Sequence, residues 1–251
     1  MPLSFVSVIC LYLGTGAYAF SLVAFISRNE RFTEIFFFSG FFFYTLGQVS
    51  RGWFIGAFTP IAAVEETFFL PWCLAFLMLV LRFFVKDIRL IHTALIPLLF
   101  FSIVAVIYPK GVFPPSPQIQ TIFSSLFFVF EVMAHALFCL GAWFSMQYLY
   151  HKNDAEFFVN FVLWGFVLYS IAQVIGAIWS YLGWASLFNW SERHLQSAAI
   201  WCFYAAFLHV RFLSGWDTRR KARLAIAGFA LVFLLSYLGH LGEMNAARLG
   251  G

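Results

Sequence analysis

Eight stretches of about 20 or more mostly apolar residues run the length of this chain, each closed off by a short polar break. They lie at about 4–26, 34–56, 65–85, 91–109, 119–149, 157–182, 194–214 and 222–242. The breaks include Ser27-Arg28-Asn29-Glu30-Arg31, Lys86-Asp87-Ile88-Arg89, Lys110 to Gln118, His151 to Glu156 and Asp217 to Lys221. In lipid a backbone must satisfy its own hydrogen bonds, so continuous apolar runs of this length read as membrane-crossing helices. They show no ten-residue alternation, which excludes a membrane barrel. Hydrophobic residues make up 63% and charged residues 10% of the chain, against roughly 25% charged in an ordinary soluble domain. That excludes a water-soluble enzyme, a disordered chain and a disulfide scaffold. The expected fold class is an all-α integral membrane protein with about eight transmembrane helices, forming a single transmembrane domain over 1–251.

The second run is the weakest, because Gln48 and Arg51 interrupt its end. The first follows only Met1-Pro2-Leu3 with no basic segment before it, which predicts a retained span rather than a cleaved signal. Orientation follows from the basic residues. Of the 15 Lys and Arg, all but Arg51, Lys110, Arg193 and Arg248 fall in the connections after odd-numbered spans. Both termini are therefore expected on the extracytoplasmic side, together with the connections after spans two, four and six. A bacterial inner membrane facing the periplasm fits, and so does a thylakoid or Gram-positive membrane. Cys10, Cys73, Cys139 and Cys202 stand singly in apolar stretches and are expected to be small buried hydrophobes.

Ionisable groups inside a membrane are costly, which makes each a candidate for function. Glu131 and His135 lie four apart in the fifth span, on one helix face. A carboxylate so placed could fix the tautomer of the imidazole, or the pair could simply hold helices together. His209 sits in the seventh span near its cytoplasmic end, His194 opens that span on the outer side, and His240 lies near the outer end of the eighth. His92 is expected at the inner surface and His151 in a solvated loop. Histidines layered through an aromatic bundle suit haem iron, and they also suit a proton relay. The segment 176–194 is the most unusual part of the chain: Trp179, Tyr181, Trp184, Phe188 and Trp190 would form an aromatic shelf at the outer interface. Tryptophan belts are common at that depth, yet flat apolar faces with a few polar handles are also what a large planar ligand needs.

At this loop the chain resembles the CcsA/ResC branch of the cytochrome c assembly family, haem handlers that also include CcmC. Gly176, Trp179, Trp184 and Trp190 match that family's tryptophan-rich signature, with Phe188 where a third tryptophan belongs. Gly56 to Trp72 resembles a second family segment, G-H-F-P-L-S-N-x-Y-E-S-x-x-F-L-x-W, and Tyr204-Ala205-Ala206-Phe207-Leu208-His209-Val210-Arg211 a third, Y-A-x-Y-L-H-x-R. The resemblance implies haem b in transit. His209 would be its transmembrane iron ligand and His135 its first outward-side ligand. The haem would rest beneath Trp179, Trp184 and Trp190, offered to the thiols of an apocytochrome c as part of a haem lyase complex of the system II type. A ResB/CcsB-like membrane protein would supply further ligands, and the lipid bilayer is the setting.

Departures are specific. Ser191 stands where the signature has Asp, Glu192-Arg193-His194 where it has Pro-Lys-Glu, Gln196 where it closes on Trp, and Ala57 where an early histidine belongs. Arg248 falls at the second outward-side histidine, which leaves the outer haem five-coordinate or hands its iron to His240, His194 or Met244. A non-catalytic scaffold or regulator of the HemX-like or YpjD-like kind is therefore a second expectation. A proton- or solute-transporting bundle built on Glu131 is a third. Phosphate-loop and H-E-x-x-H zinc motifs are missing. The basic cluster Arg219-Arg220-Lys221-Ala222-Arg223 is explained by topology and anionic headgroups, so no nucleic-acid role is expected.

Overall fold

The computed structural model describes residues 5–60, 63–85, 87–107, 121–151, 155–210, 212–213 and 215–238. Among them there is helix and no strand: α1 (Phe5–Ile26), α2 (Glu30–Ile55), α3 (Ala63–Phe84), α4 (Ile88–Thr93), α5 (Leu95–Ile107), α6 (Ile122–His151), α7 (Ala155–Trp184), α8 (Glu192–Val210) and α9 (Thr218–Val232), which runs on into a π-helical turn, Phe233–Leu238. Among the described residues six stretches are long and apolar enough to cross a membrane: Phe5–Ile26, Glu65–Phe84, Ile88–Ile107, Ile122–Tyr150, Phe157–Trp184 and Thr218–Leu238. α2 and α8 have the length but are less apolar. The chain is a multi-pass, all-helical membrane protein. It divides into two compact units, Met1–Ser116 with Glu243–Gly251, and Pro117–Gly242.

In the first unit α1 and α2 form a hairpin whose turn carries Arg28 in the left-handed region, at φ 57°. Asn29 then accepts a hydrogen bond from Phe32 N at 3.3 Å and starts α2. The two helices approach closely because each tyrosine lies over the other helix's glycine. A Cβ on Gly40 would collide with the ring of Tyr18, and one on Gly14 with the ring of Tyr44. Those two rings stack at 5.4 Å. Leucine at Gly40 is expected to cost about 1–3 kcal/mol by overpacking. Leucine at Gly16, where a Cβ meets nothing within 4 Å, should leave the thermal midpoint of the purified protein unchanged.

The fourth apolar run is two helices rather than one. Pro97 has no N–H to bond the carbonyl of Thr93, and the helix breaks at Ala94 between α4 and α5. Arg51 does not end the second run either. It is buried within α2 and paired with Glu65 of α3. Gln48 donates to the carbonyl of Phe68 at 3.1 Å, in the turn that Pro71 loosens. Toward the other end of the unit Glu34 meets Arg82 and His92 Nε2, the latter at 3.2 Å. His92, expected at an interface, is instead buried with its ring edge-on to Phe25 at 5.8 Å.

In the second unit the two 30-residue helices α6 and α7 pack side by side, with α9 against α6. Gly176 sets how closely α7 approaches the start of α6. A Cβ there would lie 2.8 Å from the Phe127 ring, so only glycine lets that ring rest against α7. Phe138 of α6 stacks on Tyr204 of α8 at 3.6 Å, with planes 4° apart. The π-helical turn after α9 brings Tyr237 Oη within 3.3 Å of His135 Nδ1.

Candidate functional site

α7 stops where its last turn meets Ala185, a residue in the left-handed region at φ 55° whose N–H bonds the Tyr181 carbonyl at 2.8 Å. The chain returns through a short loop knit by its own side chains. Ser180 Oγ donates to the Ser186 carbonyl at 2.7 Å, and Ser186 Oγ to that of Phe188 at 2.6 Å. Asn189 Oδ1 accepts from Ser191 N at 3.0 Å. Ser191 stands just before α8, and its hydroxyl lies 2.9 Å from His194 Nδ1.

Beneath this loop, between α7 and α8, is a cavity of about 810 Å³, in the upper part of the ~300–1,000 Å³ range typical of small-molecule and cofactor sites. One wall is an aromatic ladder. Phe127 of α6 lies 5.9 Å from Trp179, which meets Trp184 edge-on at 5.7 Å, and Phe128, outside the lining, supports Trp179 at 5.9 Å. Phe188 faces the other side and packs edge-on to His194 at 5.3 Å. Trp201 of α8 lines the far end, its indole N–H donating to Ser170 Oγ at 3.0 Å. Polar groups gather near the loop: Asn189, Ser191, Arg193 and His194 all line the cavity. The Arg193 guanidinium lies over the rings of Phe128 and Phe127, at 5.0 and 5.4 Å, and 3.6 Å from the carboxylate of Glu131. Cationic guanidinium over aromatic faces, with a buried carboxylate behind, is a held positive charge at the edge of an apolar slot.

The sequence candidates separate within this geometry. Trp179, Trp184 and His194 line the cavity, and Glu131 touches it through Arg193. Trp190 does not line it. That indole is 83% exposed and rests edge-on against Phe188 at 5.5 Å. His135 is fully buried, one helical turn along α6 from Glu131 on the side away from Phe127, wrapped by Tyr169 and Tyr237 at 5.8 Å each. His209 is exposed on α8, about 22 Å along the helix from His194, and its Nδ1–H donates to the Ala205 carbonyl at 2.8 Å. His240 lies outside the described residues, as do Arg248 and Met244.

Arg193, Trp201 and Cys202 line the cavity although none is a site candidate from the sequence. From the sequence Arg193 reads as a topology charge and Cys202 as a buried hydrophobe, and Trp201 is not singled out. Cys202 is exposed and lines the cavity, unlike the buried Cys10, Cys73 and Cys139. The signal was present as helical spacing: Arg193/His194, Ser197/Ala198 and Trp201/Cys202 recur on one face of α8. Among the described residues no three His, Cys, Asp or Glu side chains converge as metal ligands. A bare ion wants such a cluster, whereas a metal already held in a macrocycle needs only one or two protein ligands.

The profile of the cytochrome C assembly protein family matches residues 61–242, a stretch that includes the whole cavity. This chain belongs to that family. A cytochrome c biogenesis protein CcsA of Prochlorococcus marinus (strain MIT 9215) is 42% identical over 78 residues, which is 31% of this chain and 25% of that protein. The CcsA of strain MIT 9303 is 37% identical over 75 residues, 30% of this chain and 23% of its own length. The matched segment thus spans about a quarter of these curated relatives. Among solved structures, the cytochrome c heme lyase CcmF superposes with a TM-score of 0.71 at 15% identity, over 100% of this chain and 51% of that one. That last likeness is one of fold. The family membership agrees with the resemblance drawn from Gly176, Trp179, Trp184 and Trp190.

Proposed function

We propose that this cytochrome c assembly protein handles haem b as cargo. It would hold the haem in the cavity between α7 and α8 and present it to the thiols of an apocytochrome c. The setting is the cell inner membrane, with the tryptophan-rich loop on the periplasmic side, as the distribution of Lys and Arg favours. The partner is a ResB/CcsB-like membrane protein in a system II type of maturation.

The observation that carries this reading is the pairing of flat walls with two polar handles in one cavity of about 810 Å³. Trp179, Trp184, Phe188 and Trp201 offer faces and edges to a planar apolar ring system. Arg193 would take a carboxylate of the cargo while keeping Glu131, since its five N–H donors can serve two carboxylates. His194 is the imidazole that lines the cavity, and with Nδ1 held by Ser191 its Nε2 is the atom for iron. Haem supplies a redox-active iron and vinyl groups that accept thiols; the chain's task is to position them. His209 supports a second, inner site. Its Nδ1–H is committed to a carbonyl and its Nε2 is left as a lone-pair ligand. His135, implied as an outer ligand by the resemblance, would have to leave Tyr237 before it could reach iron.

Haemin titrated into the purified protein should quench indole emission and develop a Soret band. Trp179→Ala/Trp184→Ala should weaken binding by about 5- to 150-fold, from ~0.5–1.5 kcal/mol per ring contact. Unquenched emission with no Soret band would contradict the reading. One observation favours a scaffold role instead: Trp190 of the loop, at 83% exposed, and the exposed Tyr181 at the end of α7 lie outside the cavity lining and offer apolar surface. A pure scaffold expects Trp190→Ala to weaken capture of a membrane partner while the protein holds no haem.

A further inference from the structure

The cavity is open along its flank. Val174 of α7 is 62% exposed, and on α8 Cys202 is exposed and Trp201 40% exposed; all three line the cavity. Val174 lies ten residues from the loop end of α7, about 15 Å along the helix, within the membrane-crossing stretch Phe157–Trp184. In a bilayer whose apolar layer is ~30 Å thick, that places the opening near mid-depth, facing hydrocarbon. At the deep end Trp201 bonds Ser170 at 3.0 Å and packs on Phe166 at 5.5 Å, which ties α8 to α7 there. The charged and ionisable residues of the lining, Arg193 and His194, lie at the loop end with Asn189 and Ser191, while the deep end carries Val174, Ala198, Trp201 and Cys202 with the uncharged Ser170, Gln173 and Ser197.

From these observations we infer that the cargo reaches the cavity sideways out of the bilayer, between α7 and α8, through a mouth bordered by Val174 and Cys202. The inference rests on the haem reading. A molecule with a flat apolar body and acidic groups at one edge dissolves in lipid with that edge toward the headgroups. It can slide between the two helices in the same pose, apolar edge to Trp201 and acidic edge to Arg193. No turn is required on the way in, and the acidic edge stays near headgroup depth throughout.

Cys202 makes the mouth testable, since the other three cysteines are buried and shielded from reagents. The full-length protein is reconstituted in phosphatidylcholine/phosphatidylglycerol vesicles and treated with N-phenylmaleimide, which partitions into lipid, or with a charged, membrane-impermeant maleimide. Peptide mapping locates the label, and Cys202→Ser serves as the labelling control. The expected result is alkylation of Cys202 by the lipid-soluble reagent and little by the charged one. Haemin at about ten times its Kd should slow that alkylation about tenfold, in step with the fraction of empty cavity. Prior alkylation with a bulky maleimide should in turn slow haemin uptake from donor vesicles. Haemin binding with a normal Soret band but unchanged alkylation overturns the sideways mouth and leaves the haem reading standing. So does equally fast labelling by the charged reagent. No Soret band at all overturns the haem reading, and this inference with it.

Discussion

His194→Ala is expected to lower haemin affinity by at least about a hundredfold, beyond the 10–100-fold loss seen when a group that merely supports a metal ligand is removed. The imidazole lines the cavity, sits under Phe188 and has one nitrogen held by Ser191. Removing it would take away the proposed iron contact while leaving the indole walls in place. The variant should therefore keep weak porphyrin binding, visible as tryptophan quenching, and lose the spectral signature of axial imidazole. His135→Ala is expected to act differently. That ring is sealed between Tyr169 and Tyr237, so its loss should show in stability first and in haemin affinity less than the loss of His194. A Soret titration of both variants decides the matter. If His135→Ala removes binding and His194→Ala spares it, the outer ligand is His135, and α6 must open to expose it.

The largest stability effect is expected far along the chain from the cavity. Arg51 and Glu65 pair inside the first unit at 4% and 2% side-chain exposure. Arg51→Ala leaves the Glu65 carboxylate in low-dielectric surroundings without its guanidinium. Breaking a buried pair from one side costs about 3–5 kcal/mol, which should appear as a large drop in the thermal midpoint in detergent. Arg51→Met/Glu65→Leu, which removes both charges and keeps volume, should recover most of it. A loss of less than about 1 kcal/mol for Arg51→Ala, the size expected of an exposed pair, would mean that water reaches the site.

The architecture was legible in the sequence wherever length and hydropathy suffice. The first run, expected at about 4–26, is the helix Phe5–Ile26, and the fifth, at 119–149, is Ile122–His151. What hydropathy does not register went unread. Pro97 is apolar and so hid the break at Ala94. Arg51 looked like an interruption because its partner, Glu65, lies on another helix. The aromatic loop announced itself through four matching positions, but which rings face inward depends on how α7 and α8 are rotated. Trp179 and Trp184 turn to the cavity while Trp190 turns away. Arg193 was counted for topology, and only its placement over Phe127 and Phe128 distinguishes a binding charge from a flanking one. A histidine in an apolar run can be a ligand or a core residue, and only its packing against Tyr169 and Tyr237 shows His135 as sealed.

Indole walls, Arg193 and His194 together are proposed to hold an iron porphyrin. Expression with ample haem, followed by purification and a pyridine haemochrome assay, tests this most directly. The expected result is a coloured protein carrying b-type haem at close to one equivalent per cavity, with the His194→Ala/Trp184→Ala variant pale. A colourless wild-type protein, taking up no haemin when it is added back, would contradict it.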